Sequence, residues 1–154
     1  MAEVITLRQI DVADVPLAVP LFGAYREFYG MPPDGGTAER FLRERLTAGE
    51  SIVVLANDAG EYVGFSQFFR SFSSVHACKV LVLNDLFVAP AARGKGIASA
   101  LLKHAETLAQ QSGASRLVLE TTQSNLAAQA LYTRSGWLHD RDALLFHRSI
   151  RETY

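Results

Sequence analysis

A chain of 154 residues with 15 Lys and Arg against 16 Asp and Glu carries a formal charge of −1, so it presents no global electrostatic case for a nucleic-acid partner and any basic site has to be local. With 49% hydrophobic and 20% charged residues it is an ordinary globular composition, long enough to bury a core, and residues 1–154 read as a single domain. The lone cysteine, Cys78, rules out an intramolecular disulfide and has no neighbours at metal-ligand spacing; with no basic, apolar leader and no run near the ~20 apolar residues of a membrane span, the expectation is a soluble cytoplasmic protein without a metal.

Val4 to Ile10 alternates apolar and polar residues and is expected to form a first strand. Asp11 or Asp14 then offers a helix cap, Pro16 falls in the first turn, and Leu21, Phe22, Tyr25, Phe28 and Tyr29 recur at helical spacing. The seven residues Gly30 to Gly36 hold two prolines and three glycines and read as a loop. After Thr37, the stripe Phe41, Leu42 and Leu46 predicts a second, shorter helix ending at Gly49. Ser51 to Ala56 and Tyr62 to Phe72 are predicted strands, joined as an antiparallel hairpin by a four-residue turn from Asn57 to Gly60. Val75 to Val88 is a longer strand whose apolar face is interrupted by Asn84 and Asp85, so a bulge is expected there, splaying this strand from the next.

From Leu83 to Leu102 the chain passes from strand through a basic turn with two glycines into a helix starting near Ile97. That order gathers backbone N–H groups at a helix N-terminus, where the peptide dipoles favour a phosphate. Ile97, Leu101, Ala105 and Leu108 form one face of that helix, which should end about Ser112 and Gly113. Arg116 to Thr121 is a further strand, parallel to the one before the turn because a helix intervenes. Gln123, Ser124 and Asn125 open a short helix through Arg134 with Gly136 as its left-handed cap, and Trp137 to Ile150 is expected to supply one or two closing strands. The four histidines are scattered without metal spacing. Two carboxylates suit a general base: Asp85, where the splay should open, and Glu120, at the end of the adjoining strand.

The segment Arg93-Gly94-Lys95-Gly96-Ile97-Ala98 resembles the R/Q-x-x-G-x-G/A segment of the GNAT family of N-acetyltransferases, and the likeness continues through Leu119-Glu120, Asn125, Ala130-Leu131-Tyr132 and Gly136-Trp137. The resemblance covers roughly residues 75 to 140 and implies an α/β (α+β) GNAT fold: a mixed central sheet splayed between its fourth and fifth strands, with helices on both faces. It implies acetyl-CoA as co-substrate, with Arg93, Gly94, Lys95, Gly96, Ile97 and Ala98 around its pyrophosphate, the backbone of Leu86, Phe87 and Val88 along its pantetheine arm, and Asn125 and Tyr132 further contacts. By the same resemblance Tyr132 protonates the leaving sulfur. A phenol with an unperturbed pKa near 10 stays protonated beside a thiol near 8.5, which suits that role. The helix, loop, helix region would wall the acceptor site and place Tyr25, Glu27, Tyr29 and Asp34 near the substrate.

The resulting expectation is transfer of the acetyl group to a primary amine (a small amine, polyamine, amino acid or protein lysine) by direct attack in a ternary complex, with dimerisation through the C-terminal strands a further implication of the family. An acyl-CoA-binding protein without catalysis is the alternative from another class. A dinucleotide-binding protein ranks third: Gly94-x-Gly96 is followed by Glu120 at about the right distance, but Ser99 stands at the third glycine position and about 58 residues remain, too few for the rest of that fold.

Overall fold

The structure, a computed structural model, describes residues 4–152. The chain divides into two units, Met1–Glu120 and Thr121–Tyr154. The first contains strands β1 (Ile5–Gln9), β2 (Ser51–Asp58), β3 (Glu61–Ser73), β4 (Cys78–Val88) and β5 (Arg116–Leu119), and helices α1 (Val15–Phe28), α2 (Gly35–Thr47) and α3 (Ile97–Gln111). They form one mixed sheet in the order β1-β2-β3-β4-β5, antiparallel through β4 and parallel between β4 and β5. This is the predicted α/β arrangement with helices on both faces.

Local chemistry sets the element boundaries. Asp11 accepts from the Ala13 N–H at 2.9 Å and Asp14 reaches back to the Asp11 N–H at 3.3 Å, so a short 3-10 turn at Val12–Asp14 precedes α1 and Asp11 is the cap with a side-chain bond. Asp34, expected near the acceptor, caps α2: its carboxylate takes the Thr37 N–H at 3.0 Å and hydroxyl at 2.6 Å, and those bonds hold its pKa below the usual carboxylate value. The β2–β3 hairpin is tighter than the expected four-residue turn. β2 runs on to Asp58, leaving Ala59 (φ 51°) and Gly60 (φ 93°) as a two-residue turn, and paired positive φ values match the twist of the flanking strands. The Asn57 side chain accepts from the Gly60 N–H at 2.9 Å and braces it.

Alternation along the strands assigns the two faces. Val53, Leu55, Phe65 and Phe87 join Val15, Ala18, Leu21 and Phe22 of α1 and Ala38 and Leu42 of α2 in one core. On the other face α3 approaches the backbone at Gly64, where an added Cβ would lie 3.0 Å from the Phe87 carbonyl oxygen and 3.3 Å from the Ile97 side chain. The backbone atom cannot yield without moving the ladder, so Gly64→Ala should lower stability by about 1–3 kcal/mol in a denaturant titration, with helical content retained.

The second unit holds α4 (Leu126–Arg134). Asn125 caps it by accepting from the Ala128 N–H at 3.2 Å. Its end is a Schellman motif: Trp137 N–H bonds the Tyr132 carbonyl at 3.0 Å and Gly136 N–H the Thr133 carbonyl at 3.2 Å, with Gly136 at φ 89°. The closing strands expected between Trp137 and Ile150 are not formed, and Leu144, Leu145 and Phe146 are exposed. β-propensity measures fit to a paired, half-buried surface, and without a ladder partner it yields no strand. No helix among the described residues is long and apolar enough to cross a membrane.

Candidate active site

The splay is read directly from the register. Parallel pairing of β4 with β5 runs from Val80–Arg116 to Leu83–Leu119 and stops there, while β4 continues five residues to Val88. The ladder with β3 changes step at the same place: Gln67 faces Asp85 but Phe68 faces Leu83, which leaves Asn84 as the extra residue of a bulge. Beyond it, the Ala89 N–H bonds the Val63 carbonyl at 2.8 Å and fixes the phase of the ladder. Alternation then turns the backbone polar groups of Phe87 and Asp85 towards β3, and those of Leu86 and Val88 towards the edge that β5 has left. Of the three residues expected to offer backbone contacts, two face the splay with their backbone. Phe87 faces it with neither backbone nor side chain, the latter being buried in the α1 core.

At the end of β4 the glycine turn opens α3. Gly94 (φ 84°) and Gly96 (φ 81°) are both left-handed, and Gly96 is the N-cap of α3 with no side-chain bond to the helix N–H groups. An added Cβ at either glycine would meet no protein atom within 4 Å, so the turn leaves space beside an uncapped helix start, which fits a phosphate-bearing ligand. Its two cations are held in different ways. Arg93 folds back along β4, donating from Nε to the Val88 carbonyl at 2.9 Å and covering the Phe87 ring at 5.7 Å. Lys95 pairs with the buried Asp58 carboxylate of β2 at 3.3 Å, which ties the turn to the sheet.

The bulge builds a second cluster on the α1 face. Asp85 is 2% exposed, and its carboxylate accepts from Gln67 Nε2 at 2.5 Å and Asn84 Nδ2 at 2.8 Å, with a further bond from Tyr25. Desolvation raises its pKa above the ordinary carboxylate value against the opposing pull of those three hydrogen bonds, in the order Gln67, Asn84, Tyr25. Tyr25 reaches it from α1: its single hydroxyl proton is shared between the carboxylate and the Asn84 carbonyl at 3.3 Å, and its ring meets Phe65 and Phe87 edge-on at 5.7 and 6.2 Å. The aromatic row continues outwards through Tyr29, 5.0 Å from Tyr25, to Phe28 at 5.2 Å from Tyr29.

Tyr25, Tyr29 and Asp85 are thus brought together. Glu27 is exposed near the end of α1, and Glu120 is exposed just beyond β5 and is not among the groups bonding Asp85. Ile97 is buried under the sheet and Ala98 half-buried, so their contribution at the turn is backbone. In the second unit Asn125 is committed through Oδ1 to the α4 cap, and the Tyr132 ring lies 6.3 Å from Trp137. A concavity of about 560 Å³ along the exposed side of α2, lined by Glu39, Arg40, Arg43 and Thr47, shares no residue with either cluster and carries the intrahelical Arg43–Glu39 pair.

Gln67 and Asn84 were not legible as site residues. The available signal was a carboxamide inside the apolar run Phe65-Ser66-Gln67-Phe68-Phe69, where a fully buried polar side chain needs a partner.

Residues 20–137 match the model of the acetyltransferase (GNAT) family. The chain is 42% identical over 134 residues to the uncharacterised N-acetyltransferase YhfO of Bacillus subtilis strain 168, covering 87% of this chain and 90% of that protein. It is 33% identical over 139 residues to streptothricin acetyltransferase of Streptomyces lavendulae, covering 86% and 68% of the two. Among solved structures, a probable acetyltransferase superposes with a TM-score of 0.88 at 34% identity, over 96% of this chain and 99% of the other.

Proposed function

The chain belongs to the GNAT acetyltransferase family, and on that premise we propose that it moves the acetyl group of acetyl-CoA to a primary amine held against the α1 wall, with Asp85 as base and Tyr132 as acid. It is an acyl-CoA-dependent N-acetyltransferase. The observation that carries the fuller reading is the coincidence at one bulge of the end of β4–β5 pairing, a buried carboxylate and an aromatic wall. The family match, residues 20–137, continues past Glu120 through α4, which supports reading the chain as one catalytic domain.

In this reading the glycine turn and the start of α3 hold the pyrophosphate, and the backbone of Leu86 and Val88 pairs with the amides of the pantetheine arm. The acceptor arrives as an ammonium ion and gives one proton to Asp85, whose burial moves its pKa in the direction a base working near neutrality needs. The neutral nitrogen attacks the thioester carbonyl, and backbone N–H groups at the β4 edge stabilise the oxyanion. Collapse breaks the C–S bond, Tyr132 gives its proton to the sulfur, and the nitrogen loses its second proton to solvent as Tyr132 is reprotonated. Products are an amide and CoA thiol. Tyr25, Tyr29 and Phe28 with Glu27 suit a cationic acceptor carrying apolar surface.

The test is thiol release from acetyl-CoA with four acceptor classes: small amines, polyamines, amino acids and lysine peptides. Turnover with one class identifies the acceptor; tight binding of acetyl-CoA with no turnover on any amine would leave a binding module instead. Gly96→Val tests the cofactor site. A branched side chain at φ 81° is strained, and its Cβ enters the space beside the helix N-terminus. Calorimetry should show acetyl-CoA affinity reduced about tenfold or more, with kcat at saturating cofactor within a few-fold of wild type.

A further inference from the structure

The Asp85 site contains one group with no role so far. Gln67 is 0% exposed, it sits directly across the ladder from Asp85, and its Nε2 bonds Asp85 Oδ2 at 2.5 Å while its Oε1 is buried without a hydrogen-bond partner. A buried, unpaired amide oxygen is costly, and an apolar side chain would fit the surrounding strand without that cost. A carboxamide has a property that no apolar or cationic side chain shares: rotated by half a turn about its last torsion it exchanges a donor for an acceptor at the same place.

Resting on the reading of Asp85 as the base, we infer that Gln67 is its positioning residue, an amide that donates Nε2–H to the ionised carboxylate and, turned over, accepts the O–H of the protonated acid on Oε1. The proton taken from the acceptor ammonium sits on Asp85 Oδ2 until solvent removes it, and no other bond changes. The groups facing the carboxyl from each packed element are neutral: Gln67 from β3, Asn84 from β4 and Tyr25 from α1, with no charged side chain acting on it among the described residues. An Arg or Lys at position 67 would lock the ionised form, whereas an amide serves both states of a group that must cycle.

The experiment is a pH titration of Asp85 by carbon NMR in protein labelled at the aspartate carboxyl carbon, with Asp85→Asn assigning the signal, alongside the pH profile of kcat/KM. In Gln67→Met, which keeps length and loses both hydrogen-bonding atoms, the carboxyl midpoint and the acid limb should both move to higher pH. On the rising limb kcat/KM should fall about tenfold, with the high-pH plateau within two- to threefold of wild type. In the wild type, the Gln67 side-chain NH2 resonances should shift with the same midpoint as Asp85, a readout that survives if the variant does not fold. Unmoved Gln67 resonances across that titration, or a variant that loses thermal stability while limb and midpoint stay put, would overturn the inference. If Asp85→Asn retains the acid limb, the base is another group and the proposed mechanism fails, whatever the NMR shows for Gln67.

Discussion

Tyr132→Phe is expected to lower kcat by about a hundredfold while leaving the acetyl-CoA dissociation constant within about twofold of wild type. The substitution deletes one hydroxyl and keeps the ring that lies against Trp137. The Tyr132 backbone is fixed independently, because its carbonyl accepts the Trp137 N–H in the Schellman motif that ends α4. On the proposed role the variant loses the proton for the leaving sulfur, and an interaction made in the transition state alone should appear in kcat and kcat/KM together, not in ground-state binding. Thiol-release kinetics and calorimetry on the same preparation separate these quantities. Equal losses in turnover and affinity would assign the residue to packing.

Asp85→Asn should reduce kcat/KM at neutral pH by a factor on the order of 10² to 10³, abolish the acid limb, and leave a protein at least as stable as wild type at pH 7. The sign of the stability effect follows from linkage. Burial raises the folded-state pKa of Asp85 above its unfolded value of 3.8, so the folded protein holds a proton that the unfolded chain has already released. Stability contributed through this group therefore falls as pH rises from the unfolded pKa through the folded one, and the full penalty is present above that window. Asparagine removes the charge and the penalty. The Gln67 amide, whose Oε1 is unpartnered, can then turn over to accept from the new side chain. A melting temperature up by roughly 2–4 °C at pH 7, with the gain shrinking towards pH 4, is the expected differential result. A variant that melted far lower at neutral pH would show that the ionised carboxylate holds the bulge together.

Residue by residue, legibility tracked how local the physics is. The bulge at Asn84, the parallel β5 and the α4 boundaries followed from interrupted apolar alternation, an intervening helix, and cap residues a few positions away. The turn at Ala59 and Gly60 reads as a longer one in the sequence because Asn57 and Asp58 are turn formers, whereas β1 and β3 pair both and extend the strand. That Asp34 caps α2 through Thr37, with both oxygens engaged, is likewise a matter of contacts that its position in the sequence does not show. The absence of strands between Trp137 and Ile150 has the same origin as the tighter hairpin turn: a strand is a property of two segments, and composition reports on one.

By itself the sequence determined the family, through the glycine turn together with the likeness that continues through Leu119-Glu120, Asn125, Ala130-Leu131-Tyr132 and Gly136-Trp137, and the left-handed positions of that turn are dictated by backbone sterics within six residues. It determined that Asp85 would interrupt an apolar face. Only the tertiary structure decided what surrounds that carboxyl, because Gln67 lies 18 positions earlier and Tyr25 a further 42. They meet it through strand register and helix packing, which depend on the whole ladder, and no periodicity within one segment encodes which side chain will stand opposite another.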